Sequence, residues 1–282
     1  MIKVYNAENL NREAVVDLWV RSFGDSNEYV EFFLDNCPSY ICIEYFIDHK
    51  LVSMLFLLEG ELLGEKSKYL YAACTDADYR RRGIMEELIS FSKCYCKDKG
   101  FSSIFLVPAS DSLYSYYAKF GFVASFNKKF MCVKSANIIN DEFDSVDIDR
   151  ILSVKKKLLK SIKGFIFNDE VMKYTVKEHL FNGGRIFLKN IEDKYILIFY
   201  YLNNSDLIIK ELLTDFDDIS TVLNEHFGNK NAENIYICTP LVYNNRDIVE
   251  EYAKCGMCFP IDKKTSEYLN DRSDLYAGMY LD

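Results

Sequence analysis

The 282-residue chain has only four prolines and twelve glycines. So small a supply of both excludes a collagen-like repeat and a proline- or glycine-rich disordered chain. No uninterrupted apolar run reaches the roughly 20 residues that a membrane-spanning helix needs. The N-terminus, MIKVYNAENLNREAV, has no basic start leading into an apolar stretch, which predicts no signal peptide. A soluble, cytoplasmic protein with no membrane partner is expected. The three histidines, His49, His179 and His226, are isolated from one another and have no metal-ligand spacing, so no metal is expected. Net positive charge is missing too. The formal charge of -9 argues against nucleic acid as a partner and is compatible with a cationic small substrate.

Apolar residues are plentiful, at 49%. A chain of this length with that share buries a sizeable core, more in keeping with two domains than one. The nine cysteines are odd in number and scattered, several within strand-like or helix-like runs, as in Cys42, Cys74, Cys132 and Cys238. That usage suits reduced thiols rather than a disulfide scaffold. Cys255-Gly256-Met257-Cys258 is a single CxxC without a second pair and reads as two small buried thiols.

The first half reads as mixed α/β. NLNREAVVDLWVRSF has helical apolar spacing, and SNEYVEFFLDNC reads as a second helix. Two strand-like runs follow around the polar break Asp48-His49-Lys50, and SKYLYAACT is a third strand. Ile84, Leu88, Phe91 and Tyr95 then mark one face of a helix. SSIFLVPAS is a short buried strand, and SDSLYSYYAKF a helix with Ser110 or Asp111 at its N-cap and Gly121 closing it. GFVASFNKKFMCVK is expected to complete the sheet. A polar, acidic stretch near residues 135–147 divides the chain into an expected first domain, 1–138, and second domain, 139–282.

The second half repeats the order. Helical segments around Ile151–Leu159 and Asp169–Phe181 precede two strands around Glu192-Asp193-Lys194, which mirror the pair around Asp48-His49-Lys50. Thr214-Asp215 falls where Thr75-Asp76 falls, NIYICTP echoes SIFLVPA, and EEYAKCGMCF echoes YSYYAKFGFV. A repeat of this length points to a duplicated domain. The second copy lacks arginines and a glycine after its threonine-aspartate pair.

In the first copy that turn reads TDADYRRRGIMEEL. A helix N-terminus carries unpaired N–H groups and partial positive charge, which makes it an anion site, above all for phosphate. Gly83 lets backbone approach a ligand or adopt a conformation closed to side chains, and the neighbouring arginines add charged donors.

Arg80-Arg81-Arg82-Gly83-Ile84-Met85 resembles the pyrophosphate loop of the GNAT N-acetyltransferases, Gln/Arg-x-x-Gly-x-Gly/Ala. YYAKFGF resembles the family's Tyr-x-x-x-Gly-Phe segment, with Tyr117 at the tyrosine position. The two stand in the family's order, and the likeness covers about residues 1–134. The tandem layout is similar to the enhanced-intracellular-survival type of acetyltransferase, without its third domain. The resemblance implies two tandem GNAT-like domains, each a mostly antiparallel sheet flanked by helices, the second degenerate. Since clefts between domains are favoured binding sites, the second is expected to be a lid or wall for the substrate pocket, or else to serve only to bury the first domain's surface. It implies acetyl-CoA as co-substrate, with backbone contacts from Ala73, Cys74 and Thr75. The N–H groups of Arg81 to Met85 would sit around the pyrophosphate. Ser110 stands where many members have an asparagine that touches the cofactor, and Met85 where they have Gly or Ala. Cys74 has no histidine near it in sequence, and the family reacts by direct transfer, so an acyl-cysteine is not expected.

The reaction implied is attack by the primary amine of a small molecule or peptide on the acetyl thioester. Tyr117 is then the proton donor to the departing thiolate, since a phenol of pKa about 10 stays protonated at neutral pH. Glu59, Glu61, Glu65, the terminal carboxylate of Asp282 and a water chain all stand as bases. Two other readings remain: a non-catalytic acyl-CoA-binding regulator, and an aminoacyl-tRNA-dependent transferase of the Fem type.

Overall fold

The computed structural model of the protein describes residues 1–134, 147–204, 206–223, 233–240, 243, 250–270, 275–278 and 281. The chain runs through β1 (Ile2–Asn6), α1 (Arg12–Phe23), α2 (Asn27–Asn36), β2 (Ile41–Ile47), β3 (Lys50–Leu62) and β4 (Glu65–Thr75). A 3-10 turn, Ala77–Tyr79, leads to α3 (Ile84–Asp98), β5 (Ser103–Leu106), α4 (Asp111–Ala118) and β6 (Val123–Lys134). Then come α5 (Ile148–Leu159), β7 (Gly164–Phe167), α6 (Asp169–Phe181), β8 (Arg185–Ile191), β9 (Lys194–Asn203) and β10 (Asp206–Thr214). The last elements are α7 (Ile219–Thr221), β11 (Asn234–Thr239), β12 (Glu250–Pro260), α8 (Lys263–Asn270) and β13 (Tyr276–Ala277). Among the described residues, no helix is long and apolar enough to cross a membrane.

Two compact units form, and they interleave along the sequence. The first takes Met1–Ser125, Phe165–Tyr174 and Gly256–Arg272; the second takes Phe126–Gly164, Thr175–Cys255 and Ser273–Asp282. The expected boundary at 138/139 lies outside the described residues.

The first unit's sheet has the order β1-β2-β3-β4-β5-β12, antiparallel except for the parallel pair β4 and β5. Its two faces have different covers. On one, Trp19 of α1 and Phe33 of α2 pack on Phe56 and Tyr71. On the other, Leu88 and Ile89 of α3 join Leu55, Leu57, Leu70 and Ile104. α1 and α2 start where side chains take up orphan N–H groups. Asn11 accepts from the N–H of Ala14 before α1, and Ser26 from that of Tyr29 before α2.

The second unit's sheet has the order β6-β11-β10-β9-β8, again with one parallel pair, β10 and β11. Ile196, Ile198, Leu207 and Ile237 make its core with Ile219 and Val222. The repeat is visible in the hairpins. Asp48 and His49 have φ of 47° and 66°, and Glu192 and Asp193 have 49° and 68°. Two-residue loops with both residues left-handed match the twist of the strands they join.

Two expectations need correction. β6 is not the strand beside β5: Met257–Pro260 of β12 pair with β5, and Lys129–Lys134 of β6 pair with β11. Nor does EEYAKCGMCF copy the helix and turn of YSYYAKFGFV, for it is continuous strand. The glycines explain the difference. Gly121 has φ of 78° and closes α4, whereas Gly256 lies flat against Phe105, where a Cβ would come within 2.4 Å of the ring. Cys255 and Cys258 are buried on this strand, and burial pushes both thiols up to about 12.

Candidate functional site

β4 and β5 run side by side only from Ser67–Tyr69 against Ser103–Phe105. Beyond that pairing β4 continues to Thr75, while β5 ends at Leu106. β4 also breaks its register with β3 between Tyr71 and Cys74, because Leu55 faces two residues there. Ala72, with φ of 47°, is in the bulge. A bulge turns strand N–H groups away from the ladder and re-aims the neighbouring side chains. Ala73, Cys74 and Thr75 follow it. Cys74 is buried, and burial pushes its thiol up to about 12 against weaker pulls from Ser22 and Arg80. Such a thiol is a poor nucleophile at neutral pH. Thr75 shares a hydrogen bond of 2.8 Å with Ser53.

The turn after β4 is held by Asp76, a residue that the sequence reading passed over. Its carboxylate accepts from Lys50 Nζ at 3.0 Å, Arg21 at 3.1 Å and the N–H of Asp78 at 3.1 Å. Burial pushes this carboxyl up, but the bonds from Lys50, Asp78 and Arg21 together outweigh it and hold the group at about 2. The available signal was an acid four residues before a basic run.

The three arginines differ in what they touch. Arg80 Nε donates to the carbonyl of Thr75 at 3.0 Å. Arg82 donates to the carbonyl of Asp78 at 2.7 Å and lies 5.0 Å from the Tyr79 ring centre. Arg81 is exposed with φ of 62°, and Gly83 has φ of 77°. Arg80 before them is extended, and successive backbone N–H groups in a turn of this kind can face one anion. Gly83 is the N-cap of α3 and offers no side-chain cap to the first-turn N–H groups of Ile84, Met85 and Glu86. A Cβ on Gly83 would meet nothing within 4 Å, so the space beside it is open. Ile84 is buried, and Met85 packs half-buried against the α3 core.

The family model for the acetyltransferase (GNAT) domain matches residues 3–124. Residues 3–124 are a GNAT acetyltransferase domain. No curated protein matches the chain by sequence. Among solved structures, the fold is similar to that of Eis1 from Mycobacterium abscessus, at 9% identity and a TM-score of 0.68, over 94% of this chain and 75% of that one. It is similar to a GCN5-related N-acetyltransferase from Kribbella flavida, at 14% identity and a TM-score of 0.66, over 93% and 72%. A tandem GNAT protein from the clavulanic acid biosynthesis pathway aligns over 93% of this chain and 99% of its own, at 10% identity and a TM-score of 0.53. The fold is thus similar to that of these tandem-domain structures, as expected from the repeat.

Within the GNAT domain, Tyr117 sits on α4, buried among the α3-side core residues. Burial, and then Tyr116, push its phenol up to about 12. Ser110 is the N-cap residue of α4, but its hydroxyl bonds to Ser112 at 3.0 Å instead of capping the helix. Two of the proposed bases are engaged as ion-pair partners. Glu59 accepts from buried Lys68 at 2.9 Å, and Glu65 pairs with Lys264. Glu61 is exposed on β3. Asp282 and His226 lie outside the described residues.

Proposed function

We propose that the protein is an acetyl-CoA-dependent N-acetyltransferase that moves an acetyl group to the primary amine of a small molecule or peptide by direct attack. One observation carries this reading. β4 parts from β5, bulges at Ala72 and leads through a cationic turn into a helix start whose N–H groups are uncapped.

The residues fit the cofactor. A pyrophosphate matches the N–H groups of Arg81, Arg82, Gly83, Ile84 and Met85, with charge from Arg80, Arg81 and Arg82. Ala73, Cys74 and Thr75 offer strand backbone to an extended amide-bearing arm, and Ser110 offers a hydroxyl. Acetyl-CoA supplies the activated thioester. A bulge N–H near Ala73 would stabilise charge building on a carbonyl oxygen. Tyr117, kept protonated by its burial, would give its proton to the leaving thiolate. With Glu59 and Glu65 ion-paired, Glu61, the Asp282 carboxylate and a water chain remain as routes for the amine proton.

Met85 favours a second reading, a regulator that binds acyl-CoA without turnover. Its side chain occupies the helix start where the GNAT pattern has Gly or Ala. One assay separates the two: free-thiol release from acetyl-CoA in the presence of amines, polyamines, aminoglycosides and peptides. Thiol release that depends on an amine supports the transferase. Binding without release across a broad panel supports the regulator.

A further inference from the structure

Building on the acetyl-CoA reading above, we propose that Asp76 is a positioning residue, tying the cationic turn to α1 through Arg21 and to β3 through Lys50 and thereby setting the affinity for the cofactor's phosphates.

The carboxylate is 2% exposed, and both of its oxygens are used. Oδ2 receives Arg21 at 3.1 Å and Lys50 at 3.0 Å, while Oδ1 receives the N–H of Asp78 at 3.1 Å. Its own N–H donates to the carbonyl of Val52 at 2.8 Å. Four bonds thus fix the first residue of the turn to a helix, a strand and the turn's own backbone.

The tie continues outward. Lys50 Nζ lies 5.1 Å from the Tyr79 ring centre and Arg82 lies 5.0 Å from it. Asp76 holds Lys50, and the ring of Tyr79 takes both cations. Arg82 in turn bonds the carbonyl of Asp78. The path from Asp76 to Arg82 is an unbroken set of contacts through the turn that ends at Gly83.

The repeat supplies a control. Asp215 also sends its N–H back across the hairpin, to the carbonyl of Tyr195 at 3.1 Å, and its carboxylate takes Lys157 at 3.4 Å. The backbone bond that closes the hairpin is therefore common to both units. Of the two aspartates only Asp76 takes an arginine from its unit's first helix, Arg21, which also pairs with Asp17, and only Asp76 precedes a run of arginines. A carboxylate beside a phosphate site repels the ligand unless cations neutralise it, and here Arg21 and Lys50 do so.

The test is calorimetric titration of the full chain with acetyl-CoA for wild type, Asp76→Asn, Lys50→Met and the double variant, with thermal melting alongside. Asp76→Asn is expected to weaken binding by about 10- to 100-fold, as small misplacements of positioned groups do. With an accepted amine and saturating acetyl-CoA, kcat is expected to stay within about twofold, so the loss falls on KM. Lys50→Met is expected to weaken binding several-fold, and the double variant to be no weaker than Asp76→Asn alone, since coupled partners do not add. Lys50 is half-exposed, so its variant tests the tie even where Asp76→Asn fails to fold. Unchanged or tighter binding by Asp76→Asn overturns the proposal. So does additive loss, which makes Lys50 a direct phosphate ligand. If wild type binds no acetyl-CoA, the cofactor reading itself falls and takes this proposal with it.

Discussion

The Tyr276 hydroxyl donates to Glu211 Oε1 at 2.8 Å. Glu211 Oε2 lies 2.7 Å from Lys155 Nζ, with both side chains buried. Glu211 stands three residues before Thr214, as Ala72 stands three residues before Thr75. β10 also breaks its register there, between Ile209 and Glu211. Where the first unit has Ala72, the second has a carboxylate, in register opposite Phe199 just after the bulge, engaged by a lysine and a tyrosine. Gly278 closes in as well, since a Cβ there would lie 3.1 Å from Glu211 Oε1. The duplicated strand keeps its bulge, but the second unit uses it to build an internal ion pair.

Acetyl-CoA is therefore expected to bind at one site per chain, in the first unit. Calorimetry should give a stoichiometry of one, and two equivalent sites would contradict the assignment. Gly83→Asp should abolish binding. It forces a side chain onto a left-handed residue and sets negative charge where phosphate would lie.

Lys155→Met should destabilise the protein by about 3–5 kcal/mol, because it leaves Glu211 charged and buried without its cation. Pairing it with Glu211→Gln should restore much of that loss, since the stranded charge is then gone. Urea unfolding of the four proteins measures both. If the double variant is as unstable as the single one, the cost is packing around Phe199, which the Lys155 ammonium faces at 4.8 Å.

Much of the local structure was legible because it rests on short-range rules. The left-handed pairs at Asp48-His49 and Glu192-Asp193 follow from hairpin twist, and the α3 start at Gly83 from a glycine after a basic run. Strand partners were not legible. β6 and β12 are both apolar strands following the same echo, and only tertiary packing decides which of them lies beside β5. Gly256 shows why: its sequence context copies Gly121, yet Phe105 rather than a helix end sets its conformation. Asp76 went unread because its role depends on Arg21, distant in sequence.

Stability should fall as pH rises from about 4.3 to about 7, owing to Glu44. This β2 residue is fully buried, and neither carboxyl oxygen has a hydrogen-bond partner of normal geometry among the described residues. Burial pushes it up to about 7, against smaller pulls from Cys42 and Lys3. A raised carboxyl binds its proton more tightly in the folded chain. Its contribution is thus fully present below the unfolded value of about 4.3 and lost as pH passes through 7. The loss is on the order of 3–4 kcal/mol. Glu44→Gln, which has no proton to lose, should flatten this part of the stability–pH curve. An unchanged slope would show that Glu44 ionises normally.

Tyr117→Phe should lower kcat while leaving the acetyl-CoA dissociation constant nearly unchanged. The ring is what packs with Tyr116 and Phe122, at centroid distances of 5.3 and 5.7 Å, and phenylalanine keeps it. The hydroxyl is the only acidic part of the side chain. General-acid contributions are typically on the order of 10²–10⁴-fold, so a loss in that range marks proton donation. The pH profile gives a second reading. Because burial pushes the phenol up to about 12, loss of its proton should not limit the rate across the neutral and mildly alkaline range. An alkaline fall near pH 10 that vanishes in Tyr117→Phe would mean the phenol titrates normally and is wetter than its surroundings indicate. A loss well under tenfold would assign the proton to water. A melting-temperature drop in step with the activity would make Tyr117 a core residue.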